Sequence, residues 1–233
     1  YGITFPIIVC LLAFFLVNPP EGYIPRGSIE RRRTCDTGSK TRSAFEDIDA
    51  TPAQMLKTPM FWMLWALYFI GAGAGLMVIG SIAGMAKASM GANAFLAVAI
   101  LAIGNAGGRI AAGMLSDKIG RKHTLMIVFA FQSVLMFLSV YATQGAANAL
   151  YIVMLATFIG FNYGANLALF PSYTKDLWGM KNFGVNYGII FTAWGFGGLL
   201  MSRISQSLAA GSGNYRSSFI LAGVFLIAGT ISA

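Results

Sequence analysis

One charged residue stands where charge is expensive. Arg109 lies in Gly107-Gly108-Arg109-Ile110, inside an apolar stretch and eight residues before Asp117. Eight residues of helix are about 12 Å, so in a bilayer-spanning stretch Arg109 falls near mid-membrane, at a cost of at least about 2.5–3.5 kcal/mol. Two roles justify that cost. A guanidinium facing a central cavity can grip a carboxylate through paired N–H donors, or it can form an internal ion pair with an acidic residue from another part of a longer chain. No acidic residue sits at that depth in this sequence, which favours the ligand role. Asn105 is one helical turn away. Other polar and aromatic residues stand at comparable depth: Asn162, Tyr163 and Asn166 in Phe161-Asn162-Tyr163-Gly164-Ala165-Asn166, and Phe191 and Trp194 in Phe191-Thr192-Ala193-Trp194. Such amides and rings can orient a small planar carboxylate or serve interhelical hydrogen bonding and packing. Arg203, roughly five residues from the expected end of its helix, reads as structural because its side chain can snorkel.

The elements that must position these residues are membrane helices. The chain is 57% hydrophobic and 10% charged, whereas a soluble domain carries about 25% charged residues. The apolar residues gather in blocks of about twenty, the length a helix needs to cross a bilayer. The pattern predicts spans at 60–86, 92–115, 123–142, 148–172, 183–208 and from 217 onward, after a first at 1–17. The expected fold class is therefore all-α, a polytopic membrane helical bundle. Its expected parts are the end of one spanning helix (1–17), a connector (18–58) and a six-helix transmembrane domain (59–233) whose last helix is cut short. Pro19, Pro20, Pro25, Pro52 and Pro59, with the run Arg31-Arg32-Arg33, mark 18–58 as a long mobile link. The chain does not begin with Met and starts and stops within apolar segments, so it is expected to be a piece of a longer chain.

Loop charge orients the bundle. The formal charge is +8, but the basic residues sit in short connections, where anionic headgroups explain them and nucleic acid does not. Arg26, Arg31, Arg32, Arg33, Lys40, Arg42 and Lys57 lie in the connector, Lys118, Arg121 and Lys122 in the loop after 115, and Lys175 and Lys181 after 172. The alternate loops carry Lys87 and Arg216. The connector side is thus expected to face the cytoplasm. Gly71/Gly75, Gly80/Gly84, Gly104/Gly108, Gly160/Gly164 and Gly184/Gly188 are Gly-x-x-x-Gly pairs, each allowing close helix approach.

Other chemistries lack residues. Cys10 and Cys35 have no pairing or metal logic. His123, the one histidine, lies beside a basic loop, and no nucleophile–base set sits within the apolar runs. Neither enzyme activity nor a cofactor or metal is expected. Pore rings and filter loops, which a channel would use, are not evident either.

The loop Gly113-Met114-Leu115-Ser116-Asp117-Lys118-Ile119-Gly120-Arg121-Lys122 resembles the signature loop of the major facilitator superfamily. Its logic is local: Asp117 can pair with basic groups at a helix end, Gly113 permits close packing and Gly120 a tight turn. In that superfamily the signature follows the second helix of each six-helix half. The resemblance therefore implies that 59–233 is the C-terminal half, with 1–17 ending the sixth helix and the N-terminal half of the same chain preceding it.

Further stretches resemble the oxalate/formate antiporter family within the superfamily: Asn18-Pro19-Pro20-Glu21-Gly22-Tyr23, Thr51-Pro52-Ala53-Gln54-Met55-Leu56-Lys57-Thr58, Ala74-Gly75-Leu76-Met77-Val78-Ile79-Gly80, Ala165-Asn166-Leu167-Ala168-Leu169-Phe170-Pro171 and Asn186-Tyr187-Gly188. The resemblance implies a secondary transporter of small carboxylates in a prokaryotic inner membrane, exchanging or co-transporting a second anion or a proton. That family's oxalate carriers hold the dicarboxylate with an arginine in the eighth helix, matched by Arg109, and a lysine in the eleventh, whose place falls on Trp194. One fixed cation suits a monocarboxylate such as formate or pyruvate better than oxalate. A non-transporting sensor on the same fold, or a transporter of a non-carboxylate, is the other reading.

Overall fold

A computed structural model describes residues 49–91, 94–142 and 149–233, together with residues 8, 11 and 15. The chain divides into units 1–46 and 47–233, and the helices named below belong to the second. Most of the expected segment 1–17 and the connector up to residue 48 lie outside the described residues. The elements are α1 (Pro52–Leu56), α2 (Pro59–Met90), α3 (Ala94–Ile119), α4 (Arg121–Ala142), α5 (Ala149–Trp178), α6 (Phe183–Ser212) and α7 (Arg216–Ser232). Among the described residues no strand occurs, and α2 to α6 are long and apolar enough to cross a membrane.

The helices outrun the apolar windows that announce them. α5 continues through Pro171 to Trp178, where the Ser172 and Thr174 hydroxyls donate to the carbonyls one turn back. α6 continues to Ser212 and stops at Gly213, whose left-handed φ of 71° supplies the helix cap. Arg203 consequently stands nine residues from that end, deeper than hydropathy suggests.

The connector's last ten residues are built onto the bundle, contrary to the expectation of a link mobile throughout. Thr51 and Gln54 form a reciprocal capping box at the start of α1. The Ala50 N–H donates to Trp178 O at 3.1 Å, and its carbonyl accepts from Asn182 and Asn186 at 3.2 and 3.0 Å. Met55 is fully buried.

Three helix pairs pack most closely: α3 with α5, α2 with α6, and α4 with α7. On the first pair four glycines interlock. A methyl group on Gly104 or Gly108 would strike the backbone of Thr157 or Phe161, and one on Gly160 or Gly164 would strike the Leu101 or Asn105 carbonyl. These are two of the five expected pairs. Gly71 and Gly75 meet side chains instead, the rings of Phe129 and Tyr163. Gly80, Gly184 and Gly188 face open space within this unit, so the spacing there does not mark a contact inside the bundle. The α2–α6 crossing uses Gly73 and Gly197: a methyl on Gly197 would lie 2.5 Å from Phe69 O, and one on Gly73 2.9 Å from Gly197 O. No four-residue spacing announces them.

Candidate functional site

Arg109 and Asn105 lie on α3, Tyr163 on α5, Phe191 and Trp194 on α6. Arg109 precedes the α3 terminus at Ile119 by ten residues and Trp194 follows the α6 start at Phe183 by eleven, so both sit about 15–16 Å from the same end of the bundle. The α3–α5 interlock brings Asn105 beside Gly164, and Tyr163 is the next residue along α5.

Arg109 is exposed on the uncovered face of α3. Its Nε donates to Asn105 Oδ1 at 3.1 Å, which fixes the guanidinium base and leaves the terminal N–H groups forward. Among the described residues no carboxylate is within ion-pair distance of it; the ion pairs are those of Arg121. Asn105 packs on Gly164, next to Tyr163, so the anchored guanidinium lies on the side of α3 adjoining the aromatic cluster.

That cluster is continuous. The Trp194 indole N–H donates to Tyr163 Oη at 2.7 Å. Phe191 and Trp194 stack with ring centres 5.1 Å apart, and Tyr187 and Tyr68 lie 5.6 and 6.1 Å from Phe191. The Tyr68 and Tyr187 hydroxyls are 3.5 Å apart. Trp65 donates to Thr192 Oγ1 at 3.1 Å and continues the wall along α2. The result is one fixed cation facing phenolic hydroxyls and ring faces, an arrangement able to pair with one anionic group while the rings accept a compact apolar remainder.

Asn162 and Asn166 do not join it. Both are 1% exposed, and their amide N–H groups are spent inside the bundle. Asn162 Nδ2 donates to Val128 O at 2.8 Å and Gln132 Oε1 at 3.2 Å, and Asn166 Nδ2 to Gln132 Oε1 and Asn162 O, both at 3.2 Å. One helical residue is 100° of rotation, which separates Asn162 from Tyr163. Conversely, Tyr68 and Tyr187 belong to the cluster although site reasoning passed over both. Depth marks Tyr68, nine residues into α2, because membrane tyrosines concentrate at the interfaces; Tyr187, four residues into α6, stands where such tyrosines are common and carries no signal of its own.

At the end of the bundle nearest this depth lies the signature loop. Gly120 turns α3 into α4 at φ 89°, with its N–H on Ser116 O. Arg121 is the loop's centre. Nη1 meets Asp117 Oδ1 at 2.8 Å and also donates to Ser116 Oγ, while Nε meets Asp176 Oδ2 on α5 at 3.0 Å. The loop thereby fastens the α3–α4 turn to α5. The acidic side chains are 70% and 44% exposed, so water weakens each pair and the geometry matters more than the energy. Lys118 and Lys122 point to solvent. Gly113 has open space around it, so the close packing expected of it is not made within this unit.

The sequence matches the family described as Major Facilitator Superfamily over residues 1–202 and 84–233. It is 29% identical over 217 residues to an oxalate:formate antiporter of Oxalobacter formigenes, covering 88% of this chain and 47% of that protein. An uncharacterized MFS-type transporter of Escherichia coli is 30% identical over 69% of this chain and 40% of its own length. Apicoplast pyruvate carrier 1 of Toxoplasma gondii is 28% identical over 64% and 29%. The chain spans about half the length, or less, of the curated relatives it matches. These relatives are transporters or carriers by name, not enzymes. With its apolar spanning helices and signature loop, the chain is part of an integral multi-pass membrane protein and belongs to the major facilitator superfamily.

Proposed function

We propose that the protein is a secondary transporter that moves a small carboxylate across the membrane by alternating access, with a monocarboxylate of the formate or pyruvate kind preferred to oxalate. The observation that carries this reading is Arg109, a mid-span cation anchored by Asn105 next to the Tyr163–Trp194 pair. Names such as oxalate:formate antiporter and pyruvate carrier among the relatives support the substrate class. Trp194 supports the preference: its indole N–H is engaged by Tyr163 and supplies no second positive charge. A dianion paired with one guanidinium would stay half-uncompensated in a low-dielectric cavity, which is costly.

In this reading, a second half facing α3 and α6 completes the cavity. Only 22% of each of these helices' apolar windows is buried here, against half or more for α2, α4 and α5. The halves rock about the site, and substrate charge neutralises Arg109 during the reorientation. A second anion or a proton carries the return step. The basic loops support a cytoplasmic connector, and the bacterial relatives support the inner membrane of a prokaryote.

The test is a panel of labelled formate, pyruvate and oxalate supplied to proteoliposomes holding the full-length protein. A monocarboxylate should enter faster than oxalate. Oxalate uptake without any monocarboxylate uptake would overturn the preference, and uptake of none of the three would overturn the carboxylate reading.

A further inference from the structure

Gln132 lies on α4, outside the cluster around Arg109, yet it is fully buried and every polar atom of its side chain is used. Its Nε2 donates to Gly71 O on α2 at 3.1 Å. Its Oε1 accepts from Asn162 and Asn166 on α5, each at 3.2 Å. One amide thus joins three helices in the interior of a membrane protein, where an unmet polar group is costly.

We infer that Gln132 is a positioning residue for the carboxylate site. This rests on the transport reading above. The site is shared between two helix pairs: Arg109, Asn105 and Tyr163 belong to α3–α5, and Tyr68, Tyr187, Phe191 and Trp194 belong to α2–α6. On the cavity side the pairs are tied by the Trp194–Tyr163 hydrogen bond. Gln132 ties the same pairs from behind.

Its reach follows from helix geometry. Asn162 and Asn166 flank Tyr163, so holding both amides fixes the rotation of α5 and the direction of Tyr163. α3 cannot turn independently, because Gly104, Gly108, Gly160 and Gly164 set backbone against backbone; Asn105 and Arg109 therefore follow α5. Gly71 is three residues beyond Tyr68 on α2, so the Gly71 carbonyl fixes the turn that carries Tyr68. Tyr163 also packs on Gly75, where an added methyl would lie 2.8 Å from its ring. A slip of α2 against α5 would change that contact and the Arg109-to-tyrosine distances together.

The experiment measures uptake of labelled formate, pyruvate and oxalate by full-length wild type, Gln132→Leu and Gln132→Asn in proteoliposomes, normalised to folded protein. Gln132→Leu removes all three bonds; Gln132→Asn keeps an amide but shortens its reach by one methylene. For the carboxylate that the wild type moves, KM should rise about tenfold in Gln132→Leu and by a smaller factor in Gln132→Asn, with altered discrimination between carboxylates, since angstrom-scale misplacement of a binding group has effects of this order. A purely structural role would lower the yield of folded protein and leave KM and discrimination unchanged, which would overturn the inference. If Gln132→Leu does not fold, an unchanged KM in Gln132→Asn overturns it equally. Absence of uptake by wild type would count against the transport reading itself, and so is distinguished from failure of Gln132 to position the site.

Discussion

The two helix pairs that share the site are closed by different means. α3 and α5 meet backbone to backbone along two turns, on glycines four residues apart in both helices. α2 and α6 meet that closely at Gly73 and Gly197 and otherwise through side chains, with Trp65 on Thr192 and Tyr68 on Tyr187. The first pair carries the cation and the second the aromatic wall. A backbone contact has no rotamer to yield, so the place of Arg109 is set rigidly. Ring contacts can readjust, so under the proposed function the wall is the part able to adapt to the shape of an anion.

That contrast can be broken at chosen positions. Trp194→Lys has the largest expected consequence, because it adds a second cation to the wall and removes the bond to Tyr163. Oxalate uptake should appear or rise at least about tenfold relative to pyruvate, since pairing the second carboxylate is a charge-assisted contact; an unchanged oxalate-to-pyruvate ratio would argue that Trp194 does not face the substrate. Gly164→Ala comes next. Its methyl would strike the Asn105 carbonyl, and overpacking of this kind costs about 1–3 kcal/mol. Thermal unfolding in detergent should show a clear fall in midpoint. Gly188→Ala, with open space around it inside α6, should leave stability unchanged or raise it by up to about 1 kcal/mol, alanine being the better helix former. A loss in the full-length protein would reveal another part of the chain lying against α6 there.

Much of this arrangement was legible in the sequence, for physical reasons. The helices α2 to α6 announced themselves because lipid demands a long apolar helix, whereas α7, at 17 residues, is shorter than these five. The α3–α5 contact was marked by glycine spacing, and Arg109 by the cost of its depth. Asn162 and Tyr163 show where reading stopped: consecutive residues in one polar patch, one faces the bundle interior and the other the cluster. A membrane helix buried over much of its circumference carries little amphipathic signal to say which side is which. Tyr68 escaped for the same reason, and Gln132 because its importance lies in partners 30 to 61 residues away. The Gly73–Gly197 crossing has no sequence spacing at all, since a single residue on each helix makes it.

The central claim is that Arg109 binds the transported anion. It is tested most directly by comparing uptake of labelled pyruvate and formate by the full-length wild type and Arg109→Gln, at matched amounts of membrane-inserted protein. Glutamine keeps polarity and most of the bulk but removes the charge, so carboxylate uptake should fall to background while the protein remains folded in the membrane. Uptake by Arg109→Gln at the wild-type rate and KM would contradict the account.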